Sequence, residues 1–144
     1  AGWGLATHAI GDRAVETCLD AYESVFGGAA GVRAAAPRIE HAQVLRPELV
    51  ERMADLGVVA CIQPCFAASD AESIALALAG RFPTSYRWDL LLEAGVRVVA
   101  GSDYPIETLD PAIGLERLTQ GEFGLPEADA LRLMTTPLDA IWAR

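Results

Sequence analysis

At 144 residues, with 52% hydrophobic side chains, the chain has the size and apolar content of one ordinary domain with a substantial core, which excludes a disordered protein. Twenty acidic residues against 11 basic ones give a net charge of −9 with no offsetting basic cluster, so a nucleic-acid partner is excluded. No apolar run approaches the ~20 residues of a membrane-spanning helix and no basic-then-apolar leader opens the sequence, so no membrane partner is expected and the protein is placed in the cytoplasm.

In chain order, residues 3–8 (WGLATH) form a short apolar strand. Asp12 is placed to cap a helix whose apolar positions Val15, Cys18, Leu19, Tyr22 and Phe26 follow a three-four spacing, ended by Gly27-Gly28. An Ala-rich link leads to a second strand over residues 37–41. Arg46-Pro47 opens a helix that runs to about Leu56, with Leu49, Val50 and Met53 on one face, and Gly57 closes it. Residues 58–63 (VVACIQ) are almost wholly apolar, as strands covered on both faces by helices tend to be.

A loose helix is expected over residues 70–80 and a firmer one over residues 86–94 (YRWDLLLEA), stopped by Gly95. Residues 96–102 (VRVVAGS) are the clearest strand, broken by Asp103-Tyr104-Pro105, and helices follow at about 111–120 and 126–134. The three cysteines are an odd count in a chain large enough to fold without staples, so no disulfide framework is expected; Cys18 and Cys61 read as small buried apolar residues.

The resulting β-α-β-α-β-α-β-α order implies a parallel sheet, either open and doubly wound or an arc of a (β/α) barrel. The polar residues favour the barrel, because His8, His41, Gln63 and Asp103 each stand at the carboxyl end of a different strand. A nucleotide-binding open sheet would instead need a glycine-rich first turn, and AIGDRA lacks that spacing. Taken singly, a histidine at a strand end is more often a hydrogen-bonded structural residue, and an Asp after Gly-Ser more often a turn former. Taken together, with both histidines of the chain at equivalent places, two imidazoles and a carboxylate suit a divalent transition metal such as zinc with a position left for water.

These segments also resemble a known family. HAIGDRA, RIEHAQ, GVVACIQP, Arg81, and YRWDLLLEAGVRVVAGSDYPIE with Asp110-Pro111 are similar to the fifth to eighth βα units of the amidohydrolase superfamily, in the subgroup that includes N-substituted formamide deformylases. The resemblance implies an α/β fold in which residues 1–144 are four βα units, the C-terminal half of a TIM-barrel-like amidohydrolase. It implies metal ligation by His8, His41 and Asp103, with Asp103 also handling the proton of the attacking water, and one or two divalent ions, zinc foremost. It implies a small amide-like substrate whose carbon-nitrogen bond is hydrolysed, with Arg81 and Gln63 on the substrate side; from the residue alone, Arg81 reads as an exposed salt bridge. Glu40, one residue before His41 on a strand, is expected to point outward toward the helix layer.

The departures from the family matter equally. The chain has no His-x-His pair of the first strand, no bridging ligand of the fourth, and no C-terminal β-sandwich. Phe66 stands where many relatives carry a histidine, and Cys65 beside it reads as a packed thiol. A half-barrel presents two unpaired strand edges, so either self-association or a missing barrel half is expected to cover them, and the lack of an initiator Met at Ala1 points to a fragment. The isolated chain is therefore expected to be inactive. A catalytically inert half-barrel serving as an assembly or binding module, and an α/β domain without metal, are the alternatives.

Overall fold

Four short strands pair side by side in a parallel sheet. In the computed structural model, which describes residues 4–79, 85–121 and 124–137, they are β1 (Ala6–Ala9), β2 (Arg38–His41), β3 (Val59–Ile62) and β4 (Arg97–Ala100). Their spatial order is their sequence order, β1-β2-β3-β4, and every pairing is parallel. Each connection between paired strands contains at least one helix, as parallel pairing requires. This is the expected α/β architecture of parallel (β/α) units.

The helices are α1 (Asp12–Phe26), α2 (Ala29–Ala35), α3 (Pro47–Leu56), α4 (Phe66–Ser69), α5 (Ala71–Leu78), α6 (Trp88–Glu93), α7 (Pro111–Thr119) and α8 (Glu127–Thr135). Proline at the first helical position of α3 and α7 and the left-handed Gly27 and Gly57 after α1 and α3 set those boundaries where the sequence places them. Three details differ from expectation. The cap of α1 is Gly11, and Asp12 lies inside the first turn, where its carboxylate faces the positive end of the helix dipole and accepts from the backbone N–H of Arg13 at 2.9 Å. The Ala-rich link is a helix, α2, because alanine is the best helix former and Val32 gives the short segment a fully buried anchor. Finally, α6 starts at Trp88, since Ser85 is drawn into an antiparallel bridge with Val44 and Tyr86 adopts a left-handed backbone (φ 56°).

Alternation along the strands sorts their side chains into two sets. Ile39, Ala60, Ile62 and Val98 join Val15, Leu19, Met53, Leu91 and Leu118 in the core between sheet and helices. Each large member contributes roughly 1.5–3 kcal/mol by leaving water. The registers His8↔Glu40, Glu40↔Cys61 and Cys61↔Val99 define the opposite, inner face, where Val59, Cys61 and Val99 form a second small cluster. Among the described residues, no helix is long and apolar enough to cross a membrane.

Candidate metal centre

Parallel pairing brings all carboxyl ends of the strands to one rim, and each end delivers one of the residues singled out in the sequence. His8 lies one residue before the end of β1 and is exposed; His41 closes β2 and is buried, only 6% exposed; Gln63 follows β3 and is buried; Asp103 lies three residues beyond β4, its side chain 43% exposed. The imidazoles of His8 and His41 meet edge to face, with ring centroids 4.5 Å apart. His41 Nε2 lies 4.0 Å from Asp103 Oδ2, within the ~4.2 Å span of two donors that each sit ~2.1 Å from one ion.

Backbone strain aims these groups. His41 has φ 72°, Ala42 φ 46° and Asp103 φ 59°, all in the left-handed region where histidine and aspartate are among the tolerated residues. Strict alternation would send His41 to the helix side with its register partner Ala9, which sits in the helix-side core. The left-handed turn at the end of β2 breaks that alternation, and the ring lies against His8 instead. At Asp103, the turn is closed by the Ile106 N–H donating to the Asp103 carbonyl at 2.9 Å.

The electrostatics favour a neutral, lone-pair-bearing imidazole. Burial pushes the His41 pKa below its ordinary value, the neighbouring His8 lowers it further, and Asp103, Glu40 and Asp70 oppose the shift. At neutral pH, the His41–Asp103 pair is therefore a contact between a neutral ring and a carboxylate. His41 Nδ1 is buried with no hydrogen-bond partner among the described residues, an arrangement that costs free energy unless something outside the protein uses the ring. The imidazole, imidazole and carboxylate donor types, with His41 Nε2 facing Asp103, fit a divalent transition metal. The fit is to part of a ligand set: among the described residues, no three His, Cys, Asp or Glu side chains converge closely enough to enclose an ion.

Gln63 and Glu40 complete the inner rim. The Gln63 side-chain amide donates to Glu40 Oε2 at 3.3 Å and weakly to Cys61 Sγ at 3.8 Å, while its Oε1 is buried with no partner among the described residues. Glu40 also accepts from the Arg38 guanidinium. The expectation that Glu40 points to the helix layer is thus corrected. It is the register partner of both His8 and Cys61, on the inner face, and the alternation counted from His41 misled because His41 is not extended. Arg81 lies outside the described residues.

Two further residues, Tyr86 and Phe66, belong to this rim, and no sequence motif assigns either a role. The Phe66 ring stands perpendicular to that of His41 at 5.6 Å, and the Tyr86 hydroxyl donates to the Phe66 carbonyl at 3.0 Å while accepting from the Gln43 amide. The available signal was the QPCF segment directly after β3, at the same rim as His41.

Parallel βα units with a divided imidazole and carboxylate set at their carboxyl rim define the barrel-type, metal-dependent class of α/β proteins. The comparisons with known proteins narrow this. The model of the amidohydrolase family matches residues 1–127, and the chain belongs to that family. It is 40% identical over 112 residues to the protein LONG AFTER FAR-RED 3 of Arabidopsis thaliana, an alignment covering 76% of this chain and 19% of the relative. To the N-substituted formamide deformylase of Arthrobacter pascens it is 33% identical over 122 residues, covering 77% of this chain and 20% of that protein. Among solved structures, an uncharacterized metal-dependent hydrolase from Pyrococcus furiosus superposes with a TM-score of 0.76 at 29% identity, over 92% of this chain and 27% of that one. The chain thus spans about a fifth of the length of the curated relatives it matches.

Proposed function

We propose that residues 1–144 are four βα units forming the C-terminal half of the barrel of a metal-dependent hydrolase of small molecules, and that they contribute His8, His41 and Asp103 to its metal site. The observation that supports this reading is the placement of His41 at the carboxyl rim of the sheet, with its ring centroid 4.5 Å from that of His8 and its Nε2 4.0 Å from Asp103 Oδ2. The reaction is hydrolysis of an amide-like carbon-nitrogen bond, in which water adds to the carbonyl carbon and the amine leaves with a proton. Membership in the amidohydrolase family and the likeness to a formamide deformylase support this reading. Zinc is the ion of choice for two nitrogen donors and one carboxylate, and when bound it supplies a Lewis acid that eases ionisation of water near neutral pH.

The chain's own residues perform the remaining work. His41 presents a neutral ring nitrogen, and His8 supplies the second imidazole. Asp103, the most solvent-accessible carboxylate of the rim set, accepts the proton of the attacking water and returns it to the departing nitrogen. Gln63, held by Glu40, and Arg81 serve the substrate side. The unpaired edges of β1 and β4 and the inner face are covered by the other half of a barrel, supplied by further chain or by a second copy, and the working compartment is the cytoplasm.

The test is complementation. Mixed with a first-half (β/α) segment of a relative carrying His-x-His, the chain should hydrolyse N-substituted formamides in the presence of zinc, and Asp103→Asn should reduce turnover at least a hundredfold. Turnover unaffected by that substitution would contradict the assignment. A second reading, an inert half-barrel used for assembly, draws on the absence of a three-donor enclosure among the described residues. It predicts a complemented barrel that forms and hydrolyses nothing.

A further inference from the structure

Most ligating histidines are oriented by a hydrogen bond from the second ring nitrogen to a carboxylate or carbonyl. His41 has no such bond among the described residues: Nδ1 is unpartnered and Nε2 is 4.0 Å from Asp103. Two rings pack edge to face on it, His8 at 4.5 Å and 74° and Phe66 at 5.6 Å and 89°. The orientation of the imidazole therefore depends on the placement of Phe66. That residue opens α4, a helix of only 4 residues with no buried side chain of its own and hence little intrinsic stability.

Tyr86 supplies the missing anchorage. Its hydroxyl donates to the Phe66 carbonyl at 3.0 Å and accepts from the Gln43 side-chain amide, and its own backbone N–H donates to the Gln43 carbonyl at 2.8 Å. The neighbouring Val44–Ser85 bridge fixes the same crossing. Gln43 lies two residues after His41, so one phenol ties the segment leaving β2 to the segment leaving β3. The Tyr86 ring is itself wedged perpendicular to the buried Trp88 at 5.8 Å. Burial raises the Tyr86 pKa, so the hydroxyl keeps its proton and the donor direction does not invert at working pH.

We propose that Tyr86 is a positioning residue that orients His41 through Phe66. The proposal rests on the reading of His41 as a metal ligand, but its first readout does not need metal. In metal-free protein, nuclear Overhauser contacts between the Phe66 and His41 ring protons should be present in the wild type and lost in Tyr86→Phe, with the far-UV circular dichroism unchanged. In zinc titrations, Tyr86→Phe and Phe66→Leu should each raise the Kd at least fivefold, and the double variant should bind no more weakly than Phe66→Leu alone, because both act through one ring. Should Tyr86→Phe fail to fold, Gln43→Leu removes the donor to the same phenol and is read by the same ring contacts.

Ring contacts that survive Tyr86→Phe, or zinc effects of the two substitutions that multiply in the double variant, would overturn the proposal. If no variant and no wild type binds zinc, the metal reading fails while the ring contacts still decide the role of Tyr86.

Discussion

Replacing His41 by leucine should stabilise the metal-free protein and abolish its response to zinc. The ring is 6% exposed, and its Nδ1 lacks a partner among the described residues. An unsatisfied buried polar group costs about 1–3 kcal/mol, which an apolar side chain of similar volume removes. Against this, the backbone at position 41 is left-handed (φ 72°), and the several-fold preference of histidine for that region works out at roughly 1 kcal/mol. The expected net gain for His41→Leu is about 1 kcal/mol, measured by urea denaturation in the presence of a chelator. With zinc at ~100 times its Kd the wild type should gain about 2.7 kcal/mol and the variant nothing, so the order of stability reverses. A variant less stable than the wild type by more than ~1 kcal/mol in chelator would show that the ring has a structural partner and refute the reasoning.

Further expectations follow from the same geometry. Because the His41 pKa is lowered in the folded state, the unfolded chain binds the extra proton first; the stability of metal-free protein should fall as pH drops below ~6.5, and His41→Leu should flatten that part of the profile. The Cys61 thiol is pushed from 9.0 to about 12 by burial and by Glu40, so native protein at pH 8 should alkylate at Cys61 roughly a thousandfold more slowly than the unfolded chain; comparable rates by mass spectrometry would contradict its placement. Gly57→Ala should cost about 1 kcal/mol or more in thermal denaturation, since Gly57 has φ +64° and an added Cβ would come within 3.1 Å of Arg33 Cγ; an unchanged melting temperature would count against the tight α2–α3 corner.

Much of this architecture is legible in the sequence because its signals are local. Residues 58–63 and 96–102 are apolar runs of strand length, and Pro47 with Gly57 brackets α3 without reference to anything distant. The α2 helix was hidden because a stretch rich in alanine carries no apolar period, only propensity, and its burial depends on one residue, Val32. The candidate site was legible as far as one polar residue per strand end. Its finer arrangement was not, because the positive φ of His41 and Ala42 reverses the face on which His41 lies and places Glu40 inside. The linkage from Gln43 through Tyr86 to Phe66 joins residues up to 43 positions apart, and no periodicity reports a contact of that kind.

The central claim is that His8, His41 and Asp103 are ligands of one ion. X-ray absorption at the zinc edge of chelator-stripped, zinc-reloaded protein tests it most directly. The account predicts a nitrogen and oxygen shell at ~2.0–2.1 Å containing two imidazoles in the wild type, reduced to one in His8→Ala, with zinc no longer retained by His41→Ala. Zinc retained by the wild type below about a tenth of an equivalent, or a shell that neither substitution alters, would contradict it.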